Sequence, residues 1–409
     1  MGVSGNELVW LKSLVRQFYE KNTIVPPYDV SRREFGYGSI KKIDNRNLGF
    51  ENGNELNAFL RNQSPLYVSA SVSEFLNPAA QPISTKGLVG SDLIFEFDAD
   101  DLRTDCKTIH DSWSCPHCGA SGKGRVMKCT TCAKGTILNE WVCEACLNEA
   151  KQQTFSLLNI LQNDFGFDEK TLFINFSGSK GYHIHVRSPV VYSLPKSARA
   201  ELANYLSLFE VDLSQLGFSF DGKLFRCPPL NQAHGHALRI LRSVLQKIES
   251  APLDEWMVLS GLSPRTLQPF LEDRARLTRE VQSGVLPALP GKKTEPFWNA
   301  VLSSIVDVHQ LRVDKQVSTD IHRLIRVPNT IHGSTGFLAK SISVSALKEF
   351  DPFSECVAFS FVSERKLLVH HSPKIRIGTE TLDPLSESEV TVSGPLAAYL
   401  VGWGAASLR

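Results

Sequence analysis

The stretch Asp92-Leu93-Ile94-Phe95-Glu96-Phe97-Asp98-Ala99-Asp100-Asp101 decides how the rest of this chain is read. Its first part alternates, and successive side chains of a β-strand point to opposite faces. Leu93, Phe95 and Phe97 then share a core face, and Ile94, Glu96, Asp98 and, if the strand continues, Asp100 share the other. Residues two apart on one face stand roughly 6.5–7 Å apart. Carboxylates at that spacing converge on one divalent cation or bridge two. Without a cation they repel each other. A strand end running into a solvated acidic turn accounts for the same residues, so the surroundings must decide.

Immediately downstream lies the most specific local signal. Seven of the nine cysteines fall between Cys106 and Cys146. Cys115-Pro-His-Cys118 and Cys129-Thr-Thr-Cys132 are two CxxC pairs, and two such knuckles supply four thiolates to a tetrahedral zinc. The spacer between them is glycine-rich and basic, as in a ribbon loop. Cys106, His110, Cys143 and Cys146 flank the ribbon and make a second set of four. The simplest partition is two structural zinc ions, one per set; swapped partners or a single ion remain the alternatives. Clustered thiols of this kind point to metal rather than disulfides. Cys227 and Cys356 stand alone and read as buried thiols.

Further out, Ser177-Gly-Ser-Lys-Gly-Tyr-His183 follows a strong strand, Thr171-Leu-Phe-Ile-Asn-Phe176. Its glycines let backbone N–H groups approach an anion, and Ser177, Lys180 and His183 can donate to one. It is not a Walker A loop. A surface hairpin with a satisfied histidine is the plain alternative. Leu311-Arg-Val-Asp314 reads as an alternating run ending in a carboxylate, and His322, Arg323, Arg326 and His332 then place four cationic or ionisable groups close together. Arginine gives planar bidentate contacts to phosphate oxygens. Carboxylates for a divalent metal, two phosphate-friendly loops and a zinc module are together what nucleotidyl transfer needs.

The 409 residues suffice for two or three domains, and the formal net charge of +1 offers no global basic field. No apolar run is long enough to span a bilayer and no secretory signal is visible, so a cytoplasmic protein is expected. Residues 6–21, 147–164, 197–208, 238–249, 272–282 and 296–309 are expected to be helical, 65–72 a strand, and 31–38 a turn or an anion-contact loop. The tail, 337–409, has proline, serine and acidic segments and is expected to end in a short apolar helix near 397–402.

The order of these motifs resembles one family, the small catalytic subunit of archaeal and eukaryotic-type DNA primase. The matching stretches are Arg33-Glu-Phe-Gly-Tyr, Asp92 to Asp100, Ser177 to His185, Val313-Asp314, and His322-Arg-Leu-Ile-Arg-Val-Pro with Ile331-His-Gly-Ser-Thr-Gly. The resemblance implies an α/β (α+β) fold, a mixed two-sheet catalytic core with a helical insertion and a zinc-binding knob. The core would comprise residues 1–104, 148–195 and 293–409, the zinc module 105–147 and the insertion 196–292. It also implies template-directed synthesis of short primers on single-stranded DNA from nucleoside triphosphates, with a primase large subunit as heterodimeric partner.

The family's catalytic carboxylates carry over to Glu96, Asp98 and Asp314, holding two Mg²⁺ or Mn²⁺ ions. Glu96 departs from the usual Asp, and an Asp98/Asp100 pair competes with it. The triphosphate contacts carry over to Arg33, Ser177, Lys180, His183, Arg326 and His332. Lys180 stands where Arg is common and Ser334 where Lys is common. The family's zinc site falls on Cys106, His110, Cys143 and Cys146, with the Cys115–Cys132 ribbon as an insertion whose Gly122-Lys123-Gly124-Arg125 loop is a candidate template contact. A repair or end-joining polymerase of the same superfamily, and a non-catalytic zinc module that binds single-stranded nucleic acid, are the rival readings. Ribonucleotide against deoxynucleotide use stays open.

Overall fold

The computed structural model describes residues 3–40, 42–291 and 293–409. The chain divides into two compact units. The first comprises residues up to Phe155, Asp168–Ala200 and Arg312–Arg409; the second comprises Ser156–Phe167 and Glu201–Leu311.

Two antiparallel sheets form the centre of the first unit. In one, the strands run in the order Lys340–Ile342, Leu172–Phe176, Gly181–Val186 and Leu93–Asp98. The acidic stretch is therefore an edge strand, and its register sets His183 opposite Glu96 and Gly181 opposite Asp98. The expected core face is observed: Leu93, Phe95 and Phe97 are fully buried. Gly181 is required here, because a Cβ at this position would stand 2.0 Å from the Phe97 carbonyl and 2.6 Å from the Asp98 carboxylate. In the other sheet, Tyr67–Phe75 pairs with Leu324–Arg326, Arg33–Gly38 and Leu88–Ser91, and Arg33–Gly38 pairs in turn with Ile43–Leu48.

The Arg33–Gly38 segment is a strand, not the turn its glycines indicate. Its two leading charges are buried by pairing, Arg33 with Glu74 and Asp92, and Glu34 with Arg46 and Lys86. The tail holds the expected apolar helix and three strands. Arg365–Ser372 pairs with Leu385–Val392 and Ala406–Leu408, packed by the apolar helix Gly394–Trp403.

The opening helix Gly5–Lys21 starts with a Ser4/Glu7 capping box and buries Leu11, Leu14, Val15, Phe18 and Tyr19. The Tyr19 hydroxyl accepts from the Ile331 amide, 3.2 Å, which ties this helix to the His332 turn. The second unit packs helices Gly235–Ser250, Leu253–Ser260, Pro264–Leu271, Arg274–Gln282 and Thr294–His309 around one core. Trp256, Phe270, Phe297 and Trp298 fill its centre, with Trp256 stacked on Phe297 at 5.7 Å.

Candidate active site and metal centres

The side chains on one face of the acidic strand continue across the sheet. Glu96 Oε1 lies 3.0 Å from His183 Nε2, and Glu96 Oε2 lies 3.5 Å from Arg323 Nη2. Burial pushes the Glu96 carboxyl up, but His183 and Arg323 outweigh it and hold it below its ordinary range. The Asp98 carboxylate, two residues on, is half-buried and has no hydrogen bond or ion pair among the described residues. Burial first, then the charges of Glu96 and Asp100, push its carboxyl up to about 7. A carboxylate with two acidic neighbours, whose push the charges of His183 and Lys180 do not cancel, is the environment a divalent cation satisfies, so these residues fit the metal their type and spacing imply.

Asp314 comes from a different element than expected. No strand precedes it; it is the N-cap of the helix Lys315–Thr319, accepting from the amides of Gln316 (2.8 Å) and Val317 (3.4 Å). That helix packs on the acidic strand, and the Asp314 charge acts on Asp101, as do those of Asp100 and Glu96. With Glu96 turned to histidine and arginine and Asp314 turned to its own helix, the three carboxylates do not converge as the thiols below do. Their mutual repulsion is the physical reason. Asp100, the competing ligand, forms an ion pair with Lys180 and so is drawn toward the glycine loop.

The glycine loop is shaped by one hydroxyl. Ser177 Oγ accepts from the amides of Ser179, Lys180 and Gly181 at 3.1–3.3 Å. Gly178 has φ +84°, and a Cβ there would meet His332 Cβ at 2.9 Å, so this turn packs directly against the His332 turn. Thr335 Oγ1 donates to the Gly178 carbonyl, 2.6 Å, and closes the contact. His332 is half-buried, and desolvation together with Arg326 and Lys180 keeps its ring neutral, well below the ordinary histidine range. Its Nδ1 meets Ser334 Oγ at 2.9 Å.

Arg326 is the strongest sign of an anion. Its guanidinium stacks 3.6 Å over the Tyr67 ring, yet Nη1 and Nη2 are buried and have no hydrogen-bond partner among the described residues. Buried donors of this kind are rare unless something binds them. Between the two sheets Arg326 shares a cavity of about 850 Å³ with Arg187, His185, Asn175 and Tyr28.

Arg33, in contrast, has its five N–H donors engaged inside the fold. It is 2% exposed and donates to Tyr28 O, Ser71 O, Val72 O, Glu74 and Asp92. Asp92 is the other half of this knot and was not singled out from the sequence. Burial raises its carboxyl, but the His185 hydrogen bond and the Arg33 and Arg187 charges overcome this and hold it far below the usual range. The neutral His185, pulled down to about 4 by burial, donates Nδ1–H to Asp92.

The cysteines gather into two tetrads. The ligand atoms of Cys106, His110, Cys143 and Cys146 lie within 4.8 Å of one another, as do those of Cys115, Cys118, Cys129 and Cys132. The sulfur pairs stand 3.4–3.8 Å apart. Four sulfurs around a tetrahedral zinc are separated by about 3.8 Å, and a disulfide would need about 2 Å. This grouping is the expected partition, and the donor sets fit zinc. The Asp111 carboxylate meets His110 Nδ1 at 2.8 Å and accepts from the Trp141 amide at 3.0 Å, orienting the imidazole toward Cys146. In the ribbon, the amides of Cys132 and Thr131 help pull the Cys129 thiol down to about 6. Elemental analysis of the purified chain is expected to give about two zinc per molecule. A value near one would mean that only one tetrad is a zinc site.

The profile of the DNA primase small subunit family matches residues 139–344, just over half of the chain. The chain belongs to that family. Its relatives include DNA primase small subunits PriS from archaea. The one from Picrophilus torridus is 25% identical over 388 residues, covering 94% of each chain. That from Methanothrix thermoacetophila is 27% identical over 372 residues, covering 86% of each. That from Cenarchaeum symbiosum is 27% identical over 403 residues, covering 98% of each. The primase small subunit fold is thus a mixed α/β one with several small antiparallel sheets, as the motif order implies, and the Cys115–Cys132 ribbon sits within it. No helix among the described residues is long and apolar enough to cross a membrane.

Lys107 was missed by sequence reasoning. It is buried, and its Nζ donates to the carbonyls of Ala99 (2.6 Å), Asp100 (2.9 Å) and Leu102 (2.5 Å). It thereby ties the turn after Asp98 to the short helix that carries His110. Only tertiary structure reveals it, because its acceptors are main-chain carbonyls and leave no trace in side-chain pattern.

Proposed function

We propose that this chain is the catalytic subunit of a DNA primase, making short RNA primers on single-stranded DNA from nucleoside triphosphates by two-metal nucleotidyl transfer. The observation that carries the reading is a pair of complementary charge demands in one unit. Asp98 is a half-buried carboxylate with no hydrogen bond or ion pair among the described residues, and Arg326 is a buried guanidinium whose Nη1 and Nη2 have no hydrogen-bond partner among them. A metal–triphosphate complex satisfies both.

In this reading Glu96, Asp98 and Asp314 hold two Mg²⁺ or Mn²⁺ ions, which when bound supply the Lewis acid that activates the attacking 3′-hydroxyl and neutralises the leaving pyrophosphate. Arg326, Lys180 and His332 bind the triphosphate, and the Ser177 hydroxyl, accepting from the loop amides, holds the turn that carries Lys180 in shape. His183 donates to Glu96 and sets that carboxylate's direction. Arg33 acts from behind, holding Asp92 and through it His185. For Asp314 to ligate, its carboxylate must turn from its helix cap toward Asp98. Zinc at the two tetrads is structural, and a primase large subunit completes the enzyme.

The test is synthesis on unprimed single-stranded DNA with labelled ribonucleotides and Mg²⁺ or Mn²⁺, with the large subunit added in a parallel reaction. Short products are expected. Extension of a primed template alone would point to a repair polymerase, and silence throughout would point to a binding module.

A related expectation concerns Lys107. If it positions the Asp98 turn, Lys107→Met should raise the Mn²⁺ concentration for half-maximal synthesis by about tenfold, with zinc content unchanged; one lost charge-assisted hydrogen-bond set, about 1.5–3 kcal/mol, is of that order. An unchanged Mn²⁺ dependence would show that the turn holds its shape without it.

A further inference from the structure

The inserted ribbon has a charge composition unlike the rest of the chain. From Ser112 to Asn139 there is no aspartate or glutamate, against four bases, Lys123, Arg125, Lys128 and Lys134. The chain as a whole is nearly balanced, with 44 bases and 43 acids. Arg125, in the loop that the sequence marks as a template contact, is already used: it pairs with Glu140 and donates to the Asp100 carbonyl, 2.8 Å. The three lysines are exposed and have no acidic partner among the described residues. Beside them stand two exposed apolar side chains, Met127 (71%) and Ile137 (54%), brought together by the Thr136 amide donating to the Met127 carbonyl. Lys128 bridges to Gly135, so Lys128 and Lys134 flank the same knuckle.

The ribbon's position gives this surface a direction. Arg125 fastens it to the Asp100 main chain, directly after Asp98, and Gly124 donates to the Asp111 carbonyl at 2.8 Å. We infer that the outer face of the Cys115–Cys132 ribbon binds the backbone of a single-stranded nucleic acid through Lys123, Lys128 and Lys134, with Met127 and Ile137 in contact with its bases, and holds that strand next to the acidic turn. Cationic side chains track a phosphate backbone, and apolar side chains give sequence-tolerant contact with base faces. The ribbon's place beside the active site rests on the proposed function; its binding of a strand does not.

The test uses the full, zinc-loaded chain and a labelled deoxythymidine oligonucleotide, titrated at several salt concentrations. The triple variant K123Q/K128Q/K134Q is expected to bind about tenfold more weakly, and the slope of log K against log salt should shrink by about 2, from three contacts at about 0.7 each. The charge-preserving K123R/K128R/K134R should keep the wild-type slope, and zinc content should match in all three proteins. Equal affinity and slope in the glutamine variant would overturn the inference, as would an equal loss in the arginine variant. Asp98→Asn separates the two claims, because it should leave oligonucleotide affinity intact. A wild type that binds through the lysines yet makes no primer would remove the primase reading and keep the ribbon surface.

Discussion

Asp98→Asn is expected to abolish primer synthesis, by about 10³-fold or more, while the protein stays folded. The size follows from removing a metal ligand that stabilises developing charge by several kcal/mol. The sign of its stability effect is unusual. In zinc-loaded protein free of Mg²⁺ and Mn²⁺, the Asp98 carboxyl sits at about 7, above its ordinary 3.8. The folded state then binds a proton that the unfolded chain has lost, so stability falls as pH rises from about 4 to 7. Asparagine cannot make that demand. The variant should melt like wild type below about pH 4 and higher than wild type at pH 8. Mn²⁺ should close the gap by stabilising wild type alone. Full activity in the variant would move the metal site, with Asp100 the next candidate. A variant that melts lower at every pH would show that Asp98 serves the fold.

Arg326→Met should also separate activity from stability. A buried charge without a hydrogen-bond partner costs several kcal/mol, only partly offset by stacking on Tyr67. Methionine fills similar space without that cost, so the ligand-free variant should melt a few degrees higher. Its kcat/KM for nucleoside triphosphate should fall about 10²–10³-fold, the usual consequence of removing a preorganised donor from a phosphoryl site. Nucleotide should raise the melting temperature of wild type and hardly that of the variant. An unchanged KM for nucleotide, or a lower melting temperature without ligand, would place Arg326 in the structural framework.

Much of this was legible along the chain because the signals are local. The alternation of Leu93 to Asp98 predicts its strand and core face, and the spacing of the CxxC pairs predicts their tetrads. The partition of the sulfurs follows too, since the outer set brackets the inner one in sequence and in space. Arg33 shows where local reading stops. An arginine before an aromatic, glycine-rich segment looks free to bind an anion, yet Glu74 and Asp92, which take up its Nη2 donors, arrive from strands far along the chain. Asp314 looks like a strand end because Leu311-Arg-Val alternates over too few residues to distinguish strand from coil, and its capping role depends on the helix after it.

The sequence by itself determined the residue inventory: the acidic strand, the two sulfur sets, the glycine loop and the basic run after Asp314. These depend on periodicity and spacing, which neighbouring residues set. Tertiary structure decided which of those charges are satisfied. It engages every donor of Arg33 and leaves Arg326 unpaired, lowers Glu96 and raises Asp98 on one strand face, and sends Arg125 to the Asp100 carbonyl while the lysines beside it stay free. The reason is that a charge's state depends on the dielectric and the partners packed around it, and those partners come from strands and turns that only folding brings together.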